Sequence, residues 1–166
     1  MDALQQLQRL LAGNGESEVV EFKEAKNNYD FDKLGRYFSA LSNEANLKGL
    51  PSAWLVFGVK DNQQVVGTRY REQPKQLQSL KKEVADKVSQ RLTFIEIHTV
   101  LHPAGRVLLL EIPAAPQGLP VAWEGHYYGR DGESLGPLSL EEIERIRSQN
   151  RQRDWSAGIC HDATLD

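Results

Sequence analysis

An α+β fold is expected: a mixed, largely antiparallel β-sheet flanked by helices. Three observations predict it. Apolar residues at helical spacing recur in three or four separate stretches. Between them lie short runs rich in Val, Ile, Phe and Trp, and the last of these follow one another through Pro- and Gly-containing turns, as adjacent antiparallel strands do. The 166 residues suit one ordinary domain. The expected order is α-β-α-β-β-α-β-β-β-α.

Each element has a local reason. Leu4, Leu7, Leu10 and Leu11 form a helical stripe in residues 1–15, stopped by Gly13 and Gly15. Residues 18–23 read as a strand with Val20 and Phe22 on one face and Val19, Glu21 and Lys23 on the other. Phe31, Leu34, Tyr37, Phe38 and Leu41 place a helix at residues 31–45, and Asp30 is its expected N-cap. Residues 46–52 read as a loop, and the continuous apolar run 54–59 as a buried strand. Asp61-Asn62 then turns the chain into a strand at Val65-Val66. Pro74 opens a second long helix with Leu77, Leu80, Val84 and Val88 inward. Strands are expected at 94–101, 106–112 and 121–128. Ser139 and Glu142 make a capping-box pair for a last helix, 139–150, with Leu140, Ile143 and Ile146 inward. The polar residues 151–166 read as a linker towards a further region of a longer polypeptide.

Composition narrows the function classes. Lys plus Arg is 20 and Asp plus Glu is 23, a net charge of −3. No apolar run is long enough to span a bilayer, so no membrane partner is expected. The lone cysteine, Cys160, allows no internal disulfide, which fits a reducing, cytoplasmic setting. No phosphate-cradling loop, nucleophile elbow or zinc helix is present, so no ATPase motif lies in this stretch. His98, His102, His126 and His161 are scattered, and Cys160-His161-Asp162 supplies too few ligands for zinc.

Two charge patterns carry chemistry. Glu16, Glu18, Glu21 and Glu24 cluster in and beside the first strand, and Asp61 ends a separate one. Carboxylates from two segments, Glu16, Glu21 and Asp61, are what a hard cation such as Mg²⁺ or Mn²⁺ needs. Lys23, on the face of Glu21, would sit beside a scissile phosphate. From residue 69 to 91, seven basic residues face three acidic ones, although the whole chain is acidic. Arg69, Arg71, Lys75, Lys81 and Lys82, with Lys23 and Arg130, are the candidate phosphate contacts, and Tyr128 a candidate for base stacking. Both patterns have a plainer reading as solvated faces.

Four blocks resemble a known family. Glu16-Ser-Glu-Val-Val-Glu21-Phe-Lys23 is similar to the E-x-x-x-x-E-F-K signature of the Schlafen AlbA-like domain. Phe38-Ser-Ala-Leu-Ser-Asn43, with Trp54 to Asp61, resembles its next block. Val65-Val66-Gly67 resembles the strand that follows, and Pro120 through Tyr128, Arg130 and Gly132 its closing element. The resemblance covers residues 16–138 and departs at 46–52, where a longer loop replaces the family's paired glycines. It implies a DNA- or RNA-binding module, of the kind that opens bacterial RecG-related helicase-like proteins and transcriptional regulators. An alternative it also implies is a metal-dependent nuclease, Glu16, Glu21 and Asp61 matching the acidic triad and Lys23 the lysine of Schlafen relatives that cut RNA. Those nucleases use a duplicated clamp, so one copy would have to form a homodimer. A third reading is a protein-interaction or dimerisation module using Trp123, Tyr127 and Tyr128 on an edge hairpin.

Overall fold

The computed structural model describes residues 2–13, 18–132 and 134–149. Its elements in chain order are α1 (Ala3–Ala12), β1 (Val20–Lys23), α2 (Phe31–Leu47), β2 (Ser52–Phe57), α3 (Pro74–Ala85), a 3-10 turn (Ser89–Arg91), β3 (Glu96–His102), β4 (Gly105–Pro113), β5 (Ala122–Trp123), β6 (His126–Asp131), β7 (Ser134–Pro137) and a last helix, α4, at 140–149. The fold is α+β. One sheet runs β1-β2-β4-β3, with β1 parallel to β2 and the other pairs antiparallel. A second, three-stranded antiparallel sheet runs β5-β6-β7.

The apolar run of β2 is explained by its place. It is an interior strand, paired with β1 at Val20↔Trp54 and with β4 at Leu55↔Leu110, and both its faces are covered. Ala53, Leu55 and Phe57 join Leu34, Phe38 and Leu41 of α2 in the larger core. Trp54 and Val56 join Leu7 and Leu10 of α1 in the smaller one. The expected faces of the first strand hold: Val19 lies in the α2 core, whereas Val20 and Phe22 meet the α1 core. Asp30 caps α2 by accepting from the Lys33 amide at 2.9 Å, and Ser139 and Glu142 form the expected reciprocal cap.

The small sheet is fastened to α2 by buried polar groups. Ser39 Oγ donates to the Val121 carbonyl at 2.7 Å and accepts from the Tyr128 amide at 3.0 Å. One turn on, Asn43 accepts from the Val121 amide at 2.8 Å and donates to the carbonyls of Val121 and Tyr128. Both side chains are fully buried, and these bonds satisfy backbone groups that the short strands leave over. Gly35 lets Trp123 lie flat on the helix. A Cβ there would fall 2.0 Å from the indole ring, whose N–H donates to Asp32 at 2.9 Å.

Several expectations change. Val65-Val66 is no strand: Val65 makes one isolated bridge to Val59. The expected strand 121–128 breaks at Glu124 and Gly125, both with positive φ, the backbone of a two-residue hairpin turn. β7, not expected, pairs with β6 beyond it. Leu140 is 84% exposed rather than inward, because Ile146 supplies the buried contact of α4. Trp123 is 1% exposed, so it is a core residue and no part of an interaction surface. Residues 151–166, with Cys160, lie outside the described residues.

Candidate functional site

The acidic signature resolves into an ion cluster centred on Arg130. β6 crosses the β1 end of the main sheet, and Arg130 extends from it towards Val20. Its Nη1 donates to the Val20 carbonyl at 2.8 Å and to Glu21 at 2.9 Å, and its Nε and Nη2 form a bidentate fork on Glu44 at 2.9 Å each. Arg130, Glu21 and Glu44 are 11%, 5% and 15% exposed at the side chain. Burial alone would lower the Arg130 pKa, but hydrogen bonds and charge from Glu44 and then Glu21 raise it.

Lys23 leans on the same cluster. Its Nζ lies 3.5 Å from the second oxygen of Glu21 and 4.9 Å from the centre of the Tyr37 ring. Burial lowers the Lys23 pKa, but Tyr37 and Glu21 outweigh it, and the net direction is upward. Nearby, the Tyr29 hydroxyl is buried with no hydrogen-bond partner among the described residues, and burial pushes its pKa up.

Glu16 lies outside the described residues. Asp61 stands exposed on the turn between Val59 and Val65. This turn follows Gly58, whose amide bonds the Lys23 carbonyl at 2.8 Å, so it is adjacent to the end of β1. The Glu21 carboxylate already faces two cations, and among the described residues no three His, Cys, Asp or Glu side chains are grouped to hold a metal ion.

The basic segment is largely neutralised by partners. Arg71 forms a fork on Glu83 at 2.7 and 3.1 Å, Lys81 pairs with Glu96 at 3.1 Å, and Lys82 lies 3.9 Å from Asp86. Lys75 is exposed on the first turn of α3. Tyr128 is half-buried, with the Arg36 guanidinium 5.7 Å from its ring centre.

A different set of cations converges just beyond the C-terminal end of β1, where the Gly67 amide bonds the Gly58 carbonyl and the Gly58 amide bonds the Lys23 carbonyl. Gly67 and Gly105 bring two backbones together so closely that a Cβ on Gly105 would lie 2.6 Å from the Gly67 Cα. Beside this crossing is a groove of about 400 Å³, with Lys26, Arg69, Arg106 and Glu72 on its walls. Arg106 spends its guanidinium on three carbonyls, those of Thr68, Tyr70 and Arg71, at 3.2, 2.8 and 2.8 Å. That pins the chain from 68 to 71 without cancelling the charge. Burial lowers the Arg106 pKa while Glu72 opposes this, and a guanidinium remains charged regardless. Arg69 pairs with Glu72 at 3.4 Å, and both are well exposed, which makes a weak pair. Sequence reasoning included Arg69 but missed Lys26, Arg106 and Glu44. An arginine heading the apolar run of β4, and a glutamate on an otherwise buried helix face, were the available signals.

The fold and this arrangement define an α+β domain with a buried Glu-Arg-Glu cluster at the β1 edge and a cationic groove beyond the C-terminal end of that strand. The chain belongs to the Schlafen AlbA_2 family, whose model matches residues 16–139. No curated protein matches it. It is similar in fold to the DIP2311 protein from Corynebacterium diphtheriae, at 20% identity and a TM-score of 0.60 over 88% of this chain. That match spans 28% of the DIP2311 protein's length. A further similar structure is the N-terminal domain of an ATP-dependent DNA helicase RecG-related protein from Nitrosomonas europaea. It is 22% identical with a TM-score of 0.49, covering 84% of this chain and 95% of that one. Among the described residues no helix is long and apolar enough to cross a membrane.

Proposed function

We propose that this chain is a nucleic-acid-binding module, with DNA its preferred partner, that serves a longer regulatory or helicase-related polypeptide. The observation that carries the reading is the groove at the Gly67–Gly105 crossing. Three cations, Lys26, Arg69 and Arg106, share it with one carboxylate, Glu72. An excess of positive charge beside closely approaching backbone suits a phosphodiester strand, which needs cations spaced along a channel rather than one deep pocket. Membership of the family supports the same reading. The acidic total is no obstacle, since local potential and not net charge governs phosphate contact.

The test is fluorescence anisotropy with labelled duplex and single-stranded oligonucleotides, comparing wild type with Lys26→Glu and Arg69→Glu. Each substitution should weaken binding several-fold, on every sequence tried, because both residues would contact the backbone. Unchanged affinity in both variants would remove the groove from the account.

A further inference from the structure

The two edges of the main sheet differ. At the β1 edge a side chain occupies the ladder: Arg130 of β6 donates to the Val20 carbonyl. Among the described residues no strand pairs with the outer edge of β3. The β3-β4 hairpin closes through the two-residue turn 103–104, between the paired residues His102 and Gly105. Hydrogen-bonded pairs alternate along such a ladder, so Ile97, Thr99 and Leu101 turn their amides and carbonyls outward. The Ile97 amide shows this directly, since it donates to the carboxylate of its neighbour Glu96 at 3.0 Å. A side chain there substitutes for a missing strand. No Pro or Lys interrupts residues 96–102, and Leu101 is 84% exposed. Pro and Lys are among the devices that normally protect an edge, and this strand carries neither; its one carboxylate, Glu96, is held by Lys81 at 3.1 Å.

We propose that β3 pairs antiparallel with β3 of a second copy of this chain, about a two-fold axis at Thr99, joining the two sheets into one. The strand is self-complementary in that register. Thr99 meets Thr99. Ile97 meets the other copy's Leu101 on both sides of the axis, an apolar cross-strand pair that covers the exposed leucine. Glu96 meets His102. The His102 ring is set for this: its Nδ1 accepts from the Ala104 amide at 3.0 Å, which leaves the Nε2 N–H to donate to a carboxylate. Pairing releases the Glu96 carboxylate from the Ile97 amide, which then bonds the opposing Leu101 carbonyl. The symmetry is isologous, as in most homodimers. This dimer does not rest on the groove reading; Arg106 of the groove pairs with Leu101 across the β3-β4 hairpin, but Thr99, on which the crosslink reads, pairs with Leu108, which is not in the groove.

The test uses the 166-residue chain in a Cys160→Ser background. Sedimentation equilibrium should show a monomer–dimer equilibrium, and Leu101→Lys should raise the dissociation constant about tenfold or more without loss of fold, because the side chain is exposed. Thr99→Cys should form a disulfide-linked dimer under mild oxidation, since opposing Cα atoms in a hydrogen-bonded pair lie about 5.5 Å apart, within reach of a disulfide. Leu101→Cys, which faces Ile97, should crosslink far less. A monomeric mass across the accessible concentrations overturns the proposal. So does a dimer that Leu101→Lys leaves intact, or equal crosslinking at positions 99 and 101.

Discussion

Arg130 is the residue on which the most charge depends. It neutralises two carboxylates, Glu21 and Glu44, in a site from which water is mostly excluded. Arg130→Met would leave both without their main cation, and removing one member of a buried ion cluster costs about 3–5 kcal/mol. Urea unfolding should register a loss of that size, whereas Glu21→Gln, which keeps the shape and an acceptor, should lose clearly less. Arg71 and Glu83 make a more exposed pair with a pH signature. Hydrogen bonds from Arg71 hold the Glu83 carboxyl below its ordinary 4.5. A depressed folded-state pKa adds stability above the unfolded value, and that stability is lost as pH falls through the folded one. Stability measured from neutral pH down past 4.5 should therefore fall less steeply in Glu83→Gln than in wild type. Arg130 and Glu21 were legible as chemistry-bearing residues from their motifs. That Arg130 spends its charge inward, on Glu44, was not, because their meeting depends on how β6 crosses α2.

At the scale of elements, α2 is the organiser. Its outer turns were legible because the signals are local: the apolar stripe, and Asp30 as cap. Its polar line, Ser39 and Asn43, reads as an anomaly in sequence and acquires a reason only against the small sheet. Asn43→Ala would orphan the Val121 amide and weaken two carbonyls, for an expected loss of about 3 kcal/mol. Gly35→Ala should also destabilise, by about 1–3 kcal/mol or more, because the methyl group must displace the Trp123 ring. Thermal melts of both variants, beside an exposed control such as Lys33→Ala, would check this. The small sheet itself was poorly legible. Its break at Glu124–Gly125 rests on left-handed backbone that glutamate does not advertise. β7 is a short segment, Ser-Leu-Gly-Pro, with no strong strand pattern, and it exists because β6 offers it an edge. Val65-Val66 looked like a strand on composition, yet the chain leaves Val59 after one bridge to make the Gly67–Gly105 crossing.

For the whole molecule, the distribution of charge matters more than its sum. The excess of basic residues from 69 to 91 suggested a phosphate-tracking face. Folding offsets much of it with carboxylates, some local, such as Asp86, and others remote, such as Glu96 and Glu124. Sequence cannot show those remote partners, just as it cannot show that Lys26 and Arg106, eighty residues apart, share one groove with Arg69. The fold class was legible because periodicity and turn chemistry are local. The groove was not, because it is made by a crossing of distant glycines. The most direct measurement of the central claim is the dependence of oligonucleotide affinity on salt. If the groove binds the phosphate backbone through two or three cations, a plot of log affinity against log salt should fall with a slope of about 2–3 on duplex DNA, and Arg69→Glu should reduce that slope by about 1. An affinity indifferent to salt, or no binding at low salt, would contradict it.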